Sequence, residues 1–233
     1  MNTDRQHERL SIVLVVEYRT AGAFLVAYSV NLSSGGMFIE TEHPHPVATP
    51  LAVRIAVPGQ DVVEVEGMVV WIREQASENK PQGMGVRFGQ PLDVRFGELI
   101  DKMAVAFRGL RTVVVGKSPV ARALLTRGVR TTVAASSIVE TDGSTDTDAA
   151  LSSDTDLVVI DLGEEPEGLM ALRLAKTASH PVPAIVVAPH ERARQRAREL
   201  GADEVLNSPP AFADLQAAIL RALSKPLRII PRS

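Results

Sequence analysis

Short apolar runs punctuated by glycine and proline occupy the chain from Leu10 to Phe96. Leu10–Val16, Met37–Ile39, Leu51–Val57, Val62–Ile72 and Gly83–Phe88 are rich in Val, Ile and Phe, and no long helical pattern links them. That grammar predicts the strands of an antiparallel β-barrel or sandwich. From about Asp93 the period changes. Leu99, Ile100, Met103, Ala104 and Phe107 recur at three and four residues, the stripe of an amphipathic helix that Gly109 terminates and that is expected to cover one barrel mouth.

The second half has a different pattern. Arg111–Val115, Thr131–Ala134, Asp156–Asp161, Ala184–Val187 and Glu204–Leu206 are short apolar runs separated by helix-length segments, and a last helix is expected near Ala211–Leu223. Apolar strands without polar alternation belong to a sheet covered on both faces, so an α/β domain with a five-stranded parallel sheet is predicted. Ser136–Thr155 is rich in Ser, Thr and Asp and reads as a loose loop with a short turn of helix. Two domains are thus expected, 1–109 and 110–233, with only a few residues between the first domain's helix and the next strand.

Composition narrows the function. The chain has 233 residues, 45% of them hydrophobic and 23% charged, enough to bury two ordinary cores. It has no cysteine, which removes disulfides, thiolate nucleophiles and cysteine zinc sites and agrees with a cytoplasmic location. No run approaches the roughly 18 apolar residues of a membrane span, and the polar start is unlike a signal peptide. A net charge of −3 gives no basic face for a polynucleotide. The five histidines show no metal-binding spacing, and no Ser-His-Asp set or P-loop is present, so no catalytic residue and no metal are predicted. Arg192, Arg194, Arg196 and Arg198 spread around one predicted helix; a solvated surface is the first reading and a dock for an acidic partner the second.

Two short motifs carry candidate chemistry. Arg5 and Arg9 are four residues apart, about 13 Å if the segment is extended, and each guanidinium can stack on a guanine, meet its O6/N7 edge or grip a phosphate with two parallel hydrogen bonds. Asn31-Leu32-Ser33-Ser34-Gly35-Gly36 offers an amide and hydroxyls that can read a purine edge, with glycines that admit a ligand close to the backbone. Taken singly, the first reads equally well as two solvated arginines, and the second as an Asx turn between strands. Trp71 reads as core or barrel-mouth packing rather than as a stacking platform.

With the strands Gly67-Met68-Val69-Val70-Trp71 and Gly83-Met84-Gly85-Val86-Arg87-Phe88, the two motifs make residues 1–109 resemble the PilZ family of bacterial cyclic di-GMP receptors. The resemblance implies a β-barrel with a C-terminal helix and a ligand site of Arg5, Arg9, Asn31, Ser33, Gly35 and Gly36. Asp4 stands where many members of the family carry a further Arg. Residues 110–233 resemble the receiver domain of response regulators through Val115–Pro119, Asp156–Leu162 and Gly201–Pro209, and Asp161 takes the place of the phosphate-accepting aspartate. Gly116 and Lys117, Ala188 and Ser208 stand where the family has two metal-binding acids, a Ser or Thr, and a Lys, which implies a degenerate receiver with Asp161 as a vestigial acceptor. Without a divalent cation, charge on the phosphoryl donor is not neutralised. Lys117 near Asp161 is expected to offset its charge; alternatively Asp161 is a strand-end residue that caps the following turn.

Together the resemblances imply a cyclic di-GMP receptor that catalyses no reaction and signals through its receiver-like half to a protein partner yet to be identified. The alternative is a PilZ-like interaction scaffold in motility or polarity signalling that binds no nucleotide. Receiver-like surfaces often pair, which allows a homodimer, although no exposed apolar helix face in the sequence requires one.

Overall fold

The computed structural model describes residues 12–232 apart from 31, 34, 77–80, 90–93, 134, 144–146, 164–166, 179–180 and 227. Its first elements are β1 (Ile12–Glu17), α1 (Ala21–Val30), β2 (Leu32–Ser33), β3 (Gly36–Glu40), β4 (Pro50–Ala56), β5 (Val63–Arg73), β6 (Gly83–Phe88) and α2 (Val94–Ala106). There follow β7 (Leu110–Val115), α3 (Pro119–Thr132), β8 (Ala135–Thr141), α4 (Thr147–Ala150), β9 (Leu157–Asp161) and α5 (Glu167–Thr177). The last are β10 (Ala184–Ala188), α6 (Glu191–Glu199), β11 (Glu204–Asn207), α7 (Phe212–Ser224) and β12 (Arg228–Arg232).

These elements form two compact units that interleave along the chain. One takes the residues up to Tyr18, Asn31–Lys102 and the stretch from Arg228; the other takes Arg19–Val30 and Met103–Leu227. A single cut between 109 and 110, the sequence expectation, differs from this partition in three places: α1 and Met103–Gly109 group with the α/β unit, and β12 returns to the β unit.

In the β unit seven strands lie in the order β12-β1-β4-β5-β6-β3-β2. Alternation explains the strands: in β5, Val63, Val65 and Val69 are buried while Glu64, Glu66 and Met68 are exposed, the two-residue period of a sheet with one covered face. Leu14, Val16, Ile39, Leu51, Val53, Ile55, Met84 and Val86 supply the rest of that face. In α2, Phe96, Leu99 and Met103 are buried at intervals of three and four, as the periodicity required, and Phe96 meets Phe88 edge to face at 6.1 Å.

The expected closed antiparallel barrel is corrected to an open, curled sheet. β1 runs parallel to β4, and β12 and β2 are the two ends of the order, not paired with each other. The reason lies in Ala21–Val30, which follows β1 and is helical where only strands were expected. Gly22 sits inside that helix, a position that costs about 0.5–1 kcal/mol relative to Ala, so burial has to hold it. Ala23, Phe24 and Ala27 are buried, Val26 packs against the core of the α/β unit, and the helix lies against α7. Thr20 caps it by accepting from the Ala23 N–H at 3.0 Å. The Thr20 hydroxyl also donates to Asp156, whose other oxygen accepts from the Arg111 N–H at 2.7 Å. Arg19 completes the clamp by donating to the carbonyls of Thr155 at 2.9 Å and Ser153 at 3.2 Å.

The α/β unit has a five-stranded, all-parallel sheet in the order β11-β10-β9-β7-β8. Numbered within the sheet this is 2-1-3-4-5, the order of the doubly wound folds that include flavodoxins and receivers. Its central strands are buried on both faces. Val113, Val115, Val158, Ile160, Val186 and Ala188 point to one core with Leu172 and Ala197. Val114, Leu157, Val159, Ile185 and Val187 point to the other, with Leu125, Leu215 and Ile219. The expected strand at Thr131–Ala134 is corrected. Ser118 caps α3, Pro119 sits at its start, and the helix runs on to Thr132, so the strand lies at Ala135–Thr141, inside the segment that read as a loop. Being the edge strand with only Ile138 and Val139 strongly apolar, β8 lacks the buried-strand signature.

Candidate nucleotide-binding turn and switch-point crevice

The six residues of the candidate nucleotide site fall partly within the described chain. Arg5, Arg9 and Asn31 lie outside the described residues. Ser33 belongs to β2 and pairs with Gly36 across the hairpin, next to the pair Leu32 and Met37. Gly35 is exposed in the turn, and its carbonyl accepts from the Phe88 N–H at 2.9 Å. Gly36 opens β3 opposite Arg87 of β6.

Packing alone demands a glycine at 36. A Cβ there would stand 2.3 Å from the Val86 carbonyl oxygen and 3.1 Å from Arg87 Cα, both backbone atoms that cannot rotate away. Gly36 therefore lets β6 come close to the turn, whatever else the turn does.

Register brings further residues beside it, because paired residues share a face of the sheet. Gly36 pairs with Arg87 and Arg87 with Met68; Phe38 pairs with Gly85 and Gly85 with Trp71. The irregularity between Val69 and Trp71 leaves Val69 buried and sets Trp71, 42% exposed, on the outer face. There its ring stacks on Phe38 with centroids 5.3 Å apart and an 11° interplanar angle. The Arg73 guanidinium lies 5.2 Å from each ring centroid, within cation–π range, and donates to the Pro81 carbonyl at 2.9 Å. Trp71 is thus a surface residue, not the core or barrel-mouth packing that the sequence suggested. Arg87, exposed and directly opposite the turn, is a cation that motif reading overlooked; its pairing with the motif glycine becomes visible only through strand register.

In the α/β unit Asp161 ends β9, next to β7, at the point where the strand order reverses and where doubly wound sheets bind ligands. Burial pushes its carboxyl above the usual range, and the Gly163 N–H partly opposes that shift. At the β7–α3 turn Arg122 donates to the Gly116 carbonyl at 2.5 Å and the Lys117 carbonyl at 3.1 Å and lies 3.7 Å from Glu140. Thr126 binds the other oxygen of Glu140 at 2.9 Å. Among the described residues no group of three or more His, Asp or Glu is placed to hold a metal ion. The arginines of α6 are largely paired within their own helix, Arg194 and Arg198 with Glu191 and Arg196 with Glu199, as a solvated face would be.

The PilZ domain family model matches residues 3–105, an interval that contains both nucleotide motifs. No curated protein matches the chain. Among solved structures the chain is similar to a candidate pilus assembly protein of Burkholderia thailandensis, with 18% identity, 50% of this chain and 99% of that one covered, and a TM-score of 0.42. The signal receiver domain of a DNA-binding response regulator from Colwellia psychrerythraea gives 18%, 47%, 94% and 0.42 in the same order. The signal receiver domain of a modulated diguanylate cyclase from Desulfovibrio desulfuricans gives 18%, 48%, 92% and 0.42. Residues 3–105 thus match the PilZ domain model, and the same chain carries an α/β unit with a five-stranded parallel sheet.

Two outcomes follow from these local environments. Gly36→Ala is expected to lower stability by about 1–3 kcal/mol, the usual scale of overpacking, with no ligand added; unchanged urea unfolding would show that β6 does not press on the turn. Asp161 has a folded-state pKa above its unfolded one, so its favourable contribution is complete below the ordinary aspartate range and is lost as pH rises through the raised value. The stability of wild type relative to Asp161→Asn should therefore increase as pH falls from neutral towards 4, and a difference that does not vary with pH would contradict the buried carboxyl.

Proposed function

We propose that the protein is a cyclic di-GMP receptor whose receiver-like unit passes the binding signal to a protein partner without itself being phosphorylated. The observation that carries this reading is the PilZ match over residues 3–105, which takes in Arg5, Arg9, Asn31, Ser33, Gly35 and Gly36 together. In this reading Arg5 and Arg9 close on the phosphates and guanine faces, Asn31 and Ser33 read a base edge, and Gly35 offers backbone without a side chain in the way. Arg87 extends the positive surface beside the turn. Asp161 is a vestigial acceptor, because Gly116, Lys117, Ala188 and Ser208 supply neither the acids that hold a divalent cation nor the Lys of a working receiver, and phosphoryl transfer depends on such charge neutralisation. The function is recognition rather than catalysis, and it is at home in the cytoplasm.

One observation favours a second reading, a PilZ-like scaffold that binds no nucleotide. The requirement for Gly36 is met in full by the approach of β6, so a ligand is not needed to explain that part of the motif. Asp4 in the arginine segment points the same way.

Calorimetric titration of cyclic di-GMP separates the two. The receptor reading predicts saturable binding that Arg9→Ala weakens by about 10- to 150-fold, the scale of one charge-assisted hydrogen bond pair, and that Arg87→Ala weakens to a smaller degree. No heat, together with no rise in melting temperature at high nucleotide concentration, would establish the scaffold.

A further inference from the structure

We propose that residues 21–30 exchange between the docked helix and a β-strand that continues β2 backwards and takes the place of β12 on β1, and that nucleotide at the following turn favours the strand. The last clause rests on the receptor reading; the exchange itself rests on the sheet.

The composition of α1 suits a strand better than a helix. Phe24, Val26, Tyr28 and Val30 fall at every second position, aromatic and β-branched residues in the two-residue period that strands favour. The helix has no acidic residue in its first turn and no basic residue in its last, so nothing complements its dipole. Tertiary contacts hold it instead: the clamp of Thr20 and Arg19 on Asp156 and its neighbours, and Gly22, where a Cβ would lie 2.5 Å from Leu110 Cδ2 and 3.3 Å from Asp156 Oδ1.

The sheet offers this segment a place at both of its ends. Only Tyr18, Arg19 and Thr20 separate β1 from α1, a length that suits a hairpin. On the other side β2 pairs Leu32 with Met37 and Ser33 with Gly36; the same register continued backwards sets Val30 opposite Ile39 and Tyr28 opposite Thr41. A single strand over 21–33 would therefore bond β1 on one side and β3 on the other, joining the two ends of the sheet and leaving no edge.

The present occupant of that place is a weak one. β12 is five residues long, and Pro231, opposite Leu14, has no N–H to give to a ladder, which confines proline to edge strands. Helix-docked and strand-inserted states thus each satisfy the outer side of β1, once with β12 and once with residues 21–30. Asn31, Ser33 and Gly36 lie directly after the exchanging segment, so a ligand held by them binds the two states differently, as a population shift requires.

The test uses backbone and Cα NMR shifts of the full chain, with two substitutions that act from opposite sides. Gly22→Val sets a branched side chain against Leu110 and disfavours the helix. Ile229→Pro removes an N–H from β12 and disfavours its pairing with Val16. Shifts of Val53 and Val69 report that each variant keeps its sheet. The expected result is helix-type shifts for residues 24–30 in wild type and strand-type shifts in both variants. In Gly22→Val the amides of Ile229 and Ile230 should also lose at least 10-fold of their protection from hydrogen exchange, which loss of a helix dock alone would not cause. Residues 24–30 that stay helical in Ile229→Pro, that simply lose order in Gly22→Val while β12 stays protected, or that are already strand-like in wild type, would overturn the exchange. Cyclic di-GMP added to wild type separates the clauses: strand-type shifts only in the variants support the exchange and contradict the ligand's effect on it, and calorimetry on the same sample shows whether the nucleotide binds.

Discussion

Everything in the β unit depends on satisfying the backbone along the outer side of β1. An unpaired strand edge is an open row of donors and acceptors that invites pairing with another chain, and in a closed barrel the neighbouring segment would fill it. Here that segment is helical and belongs to the other unit, so the chain answers the need with β12, brought back after the whole α/β fold has been completed. The open sheet, the interleaved units and the position of α1 are consequences of that one substitution.

The chain passes repeatedly between the two units. It crosses between the units at 18/19, 30/31, 102/103 and 227/228, and the second crossing falls at the start of the nucleotide motif. α1, which precedes that motif in the chain, has the part-buried Thr20–Asp156 hydrogen bond at its start and packs on α7. In the α/β unit the turn after β7 is tied by Arg122 to two backbone carbonyls.

What the sequence disclosed follows from the range of the interactions involved. Parallel strands buried on both faces, such as Val158–Ile160 and Ile185–Val187, announce themselves as unbroken apolar runs, and the stripe of Leu99 and Met103 announces α2, because burial of one local element decides each. β8 escaped because an edge strand of Ser and Thr carries no such signal. α1 escaped because its residues favour a strand locally and only the clamp on Asp156 and the glycine fitted against Leu110 favour the helix, contacts more than 80 residues away in sequence. At the site, the motifs were legible as spacing. The role of Arg87 and the outward stack of Trp71 on Phe38 were not, since both follow from strand register and from the irregularity after Val69.

The central claim is that the Asn31–Gly36 motif and the arginines proposed to act with it receive a guanine dinucleotide. A crystal structure of the full chain grown with cyclic di-GMP tests it most directly. The account predicts nucleotide density against Gly35 and Gly36, with Arg5, Arg9 and Arg87 within hydrogen-bond reach of phosphate or guanine; nucleotide bound elsewhere with this turn bare would contradict it.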